Sequence, residues 1–278
     1  MLLSIASGKG GTGKTLVAVN MALSVGKLQL IDCDVEEPNV HLFLKPNVSG
    51  SQPVYNMAPV VEEGLCDYCG ECARFCEYNA IFVSSRKILV FPEICHGCGG
   101  CAIVCPRKAI REERFEIGKV YTGTASDMEI VWGELEVGKP LAVPVIREVK
   151  KLFRGDVDAI VDSPPGTSCP MINSVDGSDF CILVTEPTPF GLHDLKIAVK
   201  VLEEMSIPFG VIVNRAGLGD ERVYEYCRGK GIPILLEIPF NRRVAELYSM
   251  GKPFIEEMPE WKESLRHVFE EAKRAAGK

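Results

Sequence analysis

A glycine-rich run near the start of the chain restricts the possible folds more than any other feature. Residues 7–15, Ser-Gly-Lys-Gly-Gly-Thr-Gly-Lys-Thr, follow a short apolar segment at 2–6 and lead into a predicted helix at about 14–25. A strand, a glycine-rich loop and a helix in this order are typical of phosphate-binding loops, because glycines let successive backbone N–H groups point at one anion. The run therefore predicts a nucleotide-binding α/β fold.

The side chains of this run have separate predicted roles. Lys14 would neutralise the β- and γ-phosphates, and the Thr15 hydroxyl would reach Mg²⁺. A glycine-rich turn without a ligand is the alternative, but the complete motif between a strand and a helix argues against it. The predicted nucleotide-binding residues of the loop are Gly8, Lys9, Gly10, Gly11, Thr12, Gly13, Lys14, Thr15 and Leu16.

The rest of the chain alternates between short aliphatic runs and helical patterns. The runs are nearly continuous, as in strands buried on both faces, so the predicted fold class is α/β with a mostly parallel P-loop NTPase sheet and helices on both faces. The last helical pattern places Trp261, Leu265, Val268, Phe269 and Ala272 on one face, which should pack on the domain. The predicted strands are 2–6, 28–31, 159–161, 180–184, 210–213 and 234–238, and the helices 14–25, 144–153, 188–205, 220–230 and 259–276.

Composition argues against several classes of protein. The chain has 278 residues, of which 46% are hydrophobic, enough for one large core and a small satellite module. We expect no membrane span and no secretory signal, because no long apolar run and no cleavage site occur. A net charge of −7 argues against nucleic acid as the main partner. A cytoplasmic protein is expected.

Eight of the 12 cysteines lie between residues 61 and 115, where the long periodic patterns stop. They form two runs with the spacing recognised in bacterial ferredoxins that carry two 4Fe–4S clusters, in which the fourth cysteine of each run binds the other cluster. The predicted ligands are Cys66, Cys69, Cys72 and Cys105 for cluster 1, and Cys76, Cys95, Cys98 and Cys101 for cluster 2.

Zinc sites and disulfides are the alternatives for these cysteines. Zinc sites of the four-cysteine type need paired Cys-x-x-Cys knuckles with a longer spacer, and disulfides are typical of small secreted chains. Glu77 stands where a proline follows Cys105 in the second run, but it removes no ligand. His96 lies beside Cys95 and is not needed, because the set of eight thiolates is complete without it.

The cysteine-rich segment is predicted to be a domain inserted into the nucleotide-binding domain. Residues 1–60 and 116–278 would form the two parts of a P-loop ATPase domain, and residues 61–115 a small α+β module of the bacterial ferredoxin type. Residues 116–125 look like a strand that resumes the sheet, so both junctions are expected at the margin of the sheet.

The extra lysine of the loop, Lys9, makes the run resemble the deviant Walker A motif of MinD, ParA and nitrogenase iron-protein ATPases. In that family the early lysine crosses a dimer interface to the partner's nucleotide. The resemblance implies binding and hydrolysis of Mg·ATP by an ATP-dependent homodimer. Asp34, after the second strand, resembles the switch I aspartate that positions the attacking water. The implied catalytic residues are Lys9, Lys14 and Asp34.

Later segments carry the same resemblance in chain order. Asp162 resembles the Walker B aspartate and, with Thr15 and Asp34, completes the implied Mg²⁺ site. Asn214 and Arg215 resemble the adenine-binding corner, where the Asn214 amide would read the base. Each feature alone could be a helix cap, but all follow strands, where α/β sheets bind ligands. The implied switch II residues are Pro164, Pro165 and Gly166, whose N–H is expected to be free to sense the γ-phosphate.

The whole sequence is similar to MinD-superfamily ATPases with an inserted ferredoxin domain, and three functions compete. The first is electron transfer to an unidentified redox partner, gated by ATP-dependent dimerisation. The second is an iron–sulfur cluster assembly or carrier ATPase, although both cysteine sets are already closed sites. The third is a MinD-like spatial regulator with structural clusters. Membrane contact is not expected, because the last helix contains several acidic residues. We rank the three functions in this order.

Four cysteines lie outside the two runs. Cys33, Cys181 and Cys227 are expected to fill the core. Cys169 lies after switch II, at the offset where the nitrogenase iron protein has a cluster ligand, but the second ligand of that arrangement is missing here. Cys169 is thus either a small residue at the start of a helix or a thiolate on the dimer face.

Overall fold

The computed structural model describes residues 1–278, and a nine-stranded sheet forms its centre in the order β11-β10-β9-β1-β8-β2-β7-β6-β3. The strands from β11 to β7 are all parallel, and β6 and β3 add antiparallel strands at one edge. The strands are β1 (Leu2–Ala6), β2 (Gln29–Asp32), β3 (Asn47–Val61), β6 (Ile110–Ala125), β7 (Met128–Leu135), β8 (Ala159–Asp162), β9 (Phe180–Thr185), β10 (Phe209–Ala216) and β11 (Ile234–Pro239). The predicted α/β fold with a mostly parallel sheet is confirmed.

Helices cover both faces of the sheet, as predicted. Leu3 and Ile5 of β1 belong to one hydrophobic cluster, which contains α1 (Lys14–Val25) and α10 (Trp261–Ala275). Ala6 belongs to the cluster on the other face, with α6 (Cys169–Val175), α7 (Pro189–Glu204) and α8 (Arg222–Lys230). No helix of the chain has the length and apolar character needed to cross a membrane. The helices are α1 (Lys14–Val25), α2 (Val40–Leu44), α5 (Ala142–Lys150), α6 (Cys169–Val175), α7 (Pro189–Glu204), α8 (Arg222–Lys230), α9 (Arg242–Ser249) and α10 (Trp261–Ala275).

Helix α10 packs on the domain as its apolar face predicts. Leu265, Val268, Phe269 and Ala272 are buried in the same cluster as α1, and Trp261 packs against that cluster. The Trp261 ring meets Phe254 edge to face, with 6.2 Å between the ring centroids. This apolar face is therefore occupied by the chain itself.

Strands β3 and β6 form a long antiparallel ribbon that extends past the sheet. They pair from Asn47 opposite Thr124 to Val61 opposite Ile110. Strand β6 also pairs with β7, but only from Gly118 to Ala125. The remaining residues of β6 continue beyond Leu135, the last residue of β7, at the edge where the parallel strands end. The returning strand thus begins at Ile110, before the predicted domain boundary at residue 115.

The free end of the ribbon carries a small unit, residues 62–109, which we call the cysteine unit. It contains α3 (Glu71–Phe75), α4 (Gly100–Val104) and a hairpin of β4 (Ile81–Val83) with β5 (Ile88–Val90). Its small core brings Cys72 and Cys101 together with Ile81, Ile88 and Ile110. All eight clustered cysteines lie in this unit, away from the main core.

Candidate nucleotide site and cysteine unit

The glycine-rich loop lines a cavity of about 280 Å³ at the carboxyl ends of the parallel strands. Gly10, Gly11, Thr12, Gly13, Lys14, Thr15 and Leu16 line it, together with Asp34, Pro165, Asn214 and Arg215. Residues that the sequence analysis did not identify complete the wall, namely Pro239, Phe240, Asn241, Val244, Ala245 and Tyr248. Nearly all predicted nucleotide-binding residues thus converge on one cavity.

Two glycines of the loop are required by close contacts. A Cβ atom at Gly13 would lie 2.2 Å from the Asn214 amide nitrogen, and Gly13 has a φ of +94°. A Cβ atom at Gly8 would lie 2.4 Å from the carbonyl oxygen of Asp194 in α7. Only glycine fits at both positions, because each side chain would meet another part of the chain. The loop therefore packs closely against both β10 and α7.

Lys14 lies in a network of carboxylates at the base of the cavity. Its ammonium is 2.6 Å from Asp162 and 3.6 Å from Asp34. The Thr15 hydroxyl donates a hydrogen bond of 2.7 Å to the second oxygen of Asp162. The predicted Mg²⁺ ligands are therefore close together, but Asp162 is engaged by two P-loop side chains.

Burial and charge act in opposite directions on these groups. Burial disfavours the charge of Lys14, but Asp162 and Asp34 outweigh this effect and raise the pKa of Lys14. Burial raises the pKa of Asp34 to about 6, despite the nearby Lys14 charge. Lys14 therefore stays protonated at neutral pH, whereas Asp34 is an acceptor whose ionisation is sensitive to mild acid.

Asp32 has a role that the sequence analysis did not assign. Its carboxylate accepts backbone hydrogen bonds of 3.0 Å from Asp34, Asn39 and Val40. It is completely buried, and it fixes both ends of the loop that carries Asp34. In the sequence, the position of Asp32 directly after an apolar strand could have indicated this role, because an acid buried there requires hydrogen-bond donors.

Lys9 and Arg215 are both paired with Glu186, another residue that the sequence analysis missed. Lys9 donates to one oxygen of the Glu186 carboxylate, and Arg215 donates to the other at 2.9 Å. Burial opposes the charge of Glu186, but the Lys9 and Arg215 cations lower its pKa overall. The carboxylate therefore stays charged and holds two predicted nucleotide-binding cations within its own chain.

Two expected backbone and amide roles differ in the structure. The Gly166 N–H was expected to be free, but it donates a hydrogen bond of 2.9 Å to the Ser7 carbonyl. The Asn214 amide nitrogen donates to the Thr12 carbonyl at 2.8 Å, and its oxygen accepts from the Arg215 N–H at 2.9 Å. Asn214 thus braces the P-loop, because both ends of its amide are engaged by backbone. Of the predicted switch II prolines, Pro164 is buried and Pro165 is exposed.

The eight cysteines of the cysteine unit separate into two groups around two cavities. The larger cavity, about 310 Å³, is lined by Cys76, Cys95, Cys98 and Cys101. The smaller, about 10 Å³, is lined by Cys66, Cys69, Cys72 and Cys105. These groups have the same membership as the two ligand sets predicted from the sequence.

Equivalent hydrogen bonds reach the sulfur atoms of both runs. The Tyr68 N–H donates to Cys66 Sγ at 3.4 Å, and the Gly97 N–H donates to Cys95 Sγ at 3.5 Å. In the same way, Ala80 donates to Cys76 at 3.4 Å and Ala109 to Cys105 at 3.3 Å. N–H groups aimed at sulfur stabilise thiolates and tune bound clusters.

The donor set fits a cluster better than a single ion. No three His, Cys, Asp or Glu side chains converge closely enough to hold one metal ion. The thiolates of a four-iron cluster each bind a different iron atom, so they need to surround a space and not a point. Burial raises the pKa of Cys72 and Cys95, and that of Cys101 to about 11, so bound iron would be needed to keep these thiols ionised.

Each group has one exposed cysteine, Cys69 in one and Cys98 in the other. His96 stacks on Tyr78 at the larger cavity, with 3.6 Å between the ring centroids. Of the other cysteines, Cys33, Cys181 and Cys227 are buried as predicted. Cys169, the first residue of α6, is exposed, which does not support a packed role for its side chain.

Comparisons with known proteins agree with the fold and the P-loop. A family model described as the CobQ/CobB/MinD/ParA nucleotide binding domain matches residues 3–254. An uncharacterised protein of Methanocaldococcus jannaschii is 29% identical over 92% of this chain and 91% of its own length. A protein of Aquifex aeolicus named iron-sulfur cluster carrier protein is 27% identical over 93% of this chain and 63% of its own length.

Solved structures show the same fold. The septum site-determining protein MinD of Pyrococcus horikoshii, in complex with Mg-ADP, superposes with a TM-score of 0.60. It is 20% identical, and the match covers 99% of this chain and 97% of that chain. The cell division ATPase MinD of Pyrococcus furiosus superposes with a TM-score of 0.58 at 19% identity, covering 98% of each chain.

Proposed function

This chain belongs to the CobQ/CobB/MinD/ParA nucleotide binding domain family, and we propose that it is an ATP-hydrolysing iron–sulfur protein that transfers electrons. In this proposal, Mg·ATP binds at the P-loop cavity, and the cysteine unit is a ferredoxin-type module with two 4Fe–4S clusters. One observation carries the proposal: two four-cysteine groups surround separate cavities on a ribbon that extends from the nucleotide edge of the sheet.

The carboxylate network of the P-loop supports hydrolysis of ATP. Bound phosphates would compete with Asp162 for the Lys14 ammonium, and the Thr15 hydroxyl and the Asp162 carboxylate would hold Mg²⁺. Asp34, which lines the same cavity, would be the ionised acceptor that orients the attacking water. The buried position of these groups strengthens their electrostatic effect on the reacting phosphate.

The position of Lys9 supports an ATP-dependent homodimer. Lys9 does not line the cavity of its own P-loop, and its ammonium is held by Glu186 on the adjoining surface. Phe190, at the start of α7 near Glu186, is 76% exposed and supplies apolar surface for a second copy. In the dimer, Lys9 would leave Glu186 and approach the nucleotide of the partner.

Each cysteine group would hold one cluster, which supplies a site for one electron at a time. The protein contributes the thiolates and the N–H groups aimed at sulfur, and it leaves Cys69 and Cys98 near the surface for contact with a redox partner. Surface access suits electron transfer, because a partner must approach the cluster closely.

The test is a titration of the reduction potential of the anaerobically purified protein without nucleotide, with Mg·ADP and with Mg and a non-hydrolysable ATP analogue. We expect a potential that differs between the nucleotide states. Potentials that are identical in all three states, with tight analogue binding, would contradict nucleotide-gated electron transfer.

A second candidate is an iron–sulfur cluster carrier. The relatives named iron-sulfur cluster carrier protein in Aquifex aeolicus and in Pyrococcus horikoshii, the latter 23% identical, favour it. The two functions differ in what leaves the protein. Incubation with an apo-ferredoxin as acceptor would remove iron and sulfide from a carrier, whereas an electron-transfer protein would keep its iron and reduce only an acceptor that already contains a cluster.

A further inference from the structure

The ribbon that carries the cysteine unit leaves the sheet beside the loop that carries Asp34. Strand β6 is bonded to β7 up to Gly118, which lies opposite Leu135. The next residue of β6 toward the cysteine unit, Ile117, is an extra residue in the pairing with β3, between the pairs Val54–Gly118 and Tyr55–Glu116. A bulge of this kind bends and twists a ribbon locally. The ribbon therefore has a built-in bend at the point where it loses its neighbour.

Val35, the residue after Asp34, is linked to this bend through the end of β7. Its carbonyl accepts a hydrogen bond of 2.8 Å from the Leu135 N–H at the end of β7. The next N–H, that of Glu136, donates to the Ile117 carbonyl at the bulge at 2.9 Å. One short chain of backbone contacts thus links Asp34 to the base of the ribbon.

The Val35 side chain packs in the hydrophobic cluster that includes the bulge. It is 1% exposed and belongs to one hydrophobic cluster with Val54 and Ile117, which flank and form the bulge. A Cβ atom at Gly133 of β7 would lie 2.7 Å from a Val35 methyl group, so the fit leaves no free space. Close-packed contacts of this kind transmit small displacements, because they have no void to absorb them.

The other end of the same loop also contacts the ribbon. Val40, whose N–H is bonded to Asp32, begins α2, and the next residue, His41, stacks on Trp132 of β7 at 5.4 Å between centroids. Trp132 stacks in turn on Tyr121 of β6 at 5.1 Å. Helix α2 then leads to Asn47, where β3 begins. This second end of the loop thus contacts the sheet-bound part of β6 at Tyr121, whereas the Val35 end is linked to the bulge itself.

We propose that Val35 is a positioning residue that converts nucleotide binding at Asp34 into movement of the cysteine unit about the bulge at Ile117. The inference rests on the proposed function in one respect, namely that nucleotide binds beside Asp34. The part of the ribbon beyond the bulge, residues 110–117, is about 23 Å long at about 3.3 Å per residue. A rotation of roughly 10° at its base therefore moves the cysteine unit by about 4 Å.

The test is hydrogen–deuterium exchange, read by mass spectrometry, on the full-length protein purified anaerobically with its iron. Exchange is compared without nucleotide, with Mg·ADP and with Mg and a non-hydrolysable ATP analogue. We expect the analogue to protect residues 7–16 and to change the exchange rate in residues 54–61 and 110–118 by at least about fivefold, the equivalent of about 1 kcal/mol. Val35→Ala should keep the P-loop protection and lose the change in the ribbon.

The matched control is Val223→Ala, which removes the same atoms from an equally buried valine but lies on α8, in the hydrophobic cluster on the other face of the sheet. It should keep the change in the ribbon. Loss of the change in both variants would overturn the specific role of Val35, as would its retention in Val35→Ala. If neither variant folds, exchange in the unmodified protein still tests the proposal. A P-loop that the analogue protects, together with an unchanged exchange rate in the ribbon, would show that the two are not coupled. An unprotected P-loop would instead refute the proposed nucleotide site.

Discussion

Glu186 holds Lys9 in an ion pair within a single copy of the chain, and the Lys9 side chain is only 30% exposed. The same carboxylate binds Arg215, which lines the nucleotide cavity, so it holds Lys9 beside that cavity. If Lys9 serves the nucleotide of a second copy, this ion pair must break when the dimer forms. Glu186 would then oppose dimerisation in the absence of nucleotide.

Replacement of Glu186 should therefore favour the dimer. We expect Glu186→Gln to lower the concentration of a non-hydrolysable ATP analogue at half-maximal dimerisation by about two- to fivefold, because a partly exposed ion pair contributes up to about 1 kcal/mol. Multi-angle light scattering in the presence of a non-hydrolysable ATP analogue measures this shift. Glu203→Gln, an exposed glutamate of α7, is the control and should leave the midpoint unchanged.

Lys9→Ala should prevent the ATP-dependent dimer and leave binding of nucleotide to the monomer intact. The reason is that Lys9 does not line the cavity of its own chain. Analytical ultracentrifugation with and without the ATP analogue provides the measurement. A Lys9→Ala protein that still dimerises normally would contradict the assigned role of Lys9.

Substitutions of Lys14 and of Asp34 should impair different steps of the reaction. Lys14→Ala should abolish tight binding of Mg·ATP, because it removes the charge that neutralises the phosphates. Asp34→Ala should keep binding and lower kcat by about 100-fold or more, because it removes only the acceptor that orients water. Calorimetric binding and phosphate release distinguish the two steps. Loss of Mg·ATP binding in the Asp34 variant would show that Asp34 contributes to binding and not only to orientation of the attacking water.

The ATPase rate should decrease in mild acid because of Asp34. Burial raises the pKa of this carboxyl to about 6, so it is ionised at neutral pH and becomes protonated as the pH falls through about 6. A protonated Asp34 cannot accept a hydrogen bond from the attacking water in the same way. With Mg²⁺ in excess, kcat/KM should rise through about pH 6 and then level off. A flat profile from pH 5 to pH 8 would argue against ionised Asp34 as the acceptor.

Iron content should follow the two cysteine groups independently. The purified protein should contain about eight irons and eight sulfides per chain, and its brown absorption should bleach on reduction. Cys98→Ser should reduce the iron content to about half, because it damages one of two separate sites. Cys169→Ser is the control, because Cys169 is also exposed but lies outside both cysteine groups.

Iron and sulfide analysis together measure this outcome. Two zinc atoms without sulfide would refute the clusters. Loss of iron in the Cys169→Ser protein would indicate that Cys169 binds metal on the face near switch II. Unchanged iron content, ATPase rate and partner reduction in that variant would show that the Cys169 thiol has no part in these functions.

The sequence alone determined the features that depend on local pattern. Continuous apolar runs predicted strands such as β1 and β9, because strands buried on both faces need apolar residues at every position. The glycines and Lys14 predicted the P-loop, because that loop is built from consecutive residues. The cysteine spacing predicted a division into two groups of four, and the two cavities have that division.

Only the tertiary structure decided which distant residues meet. Glu186 lies 177 residues from Lys9 in the chain, and no local pattern could assign it to that lysine. The Gly166 N–H was expected to be free, but its bond to Ser7 depends on how β8 lies beside β1. Likewise, Val35 follows a recognisable motif, but its link to the ribbon through Leu135 and Glu136 exists because strand pairing places β7 between β2 and β6. Pairing between strands depends on packing of the whole sheet, and that information is distributed over the entire chain.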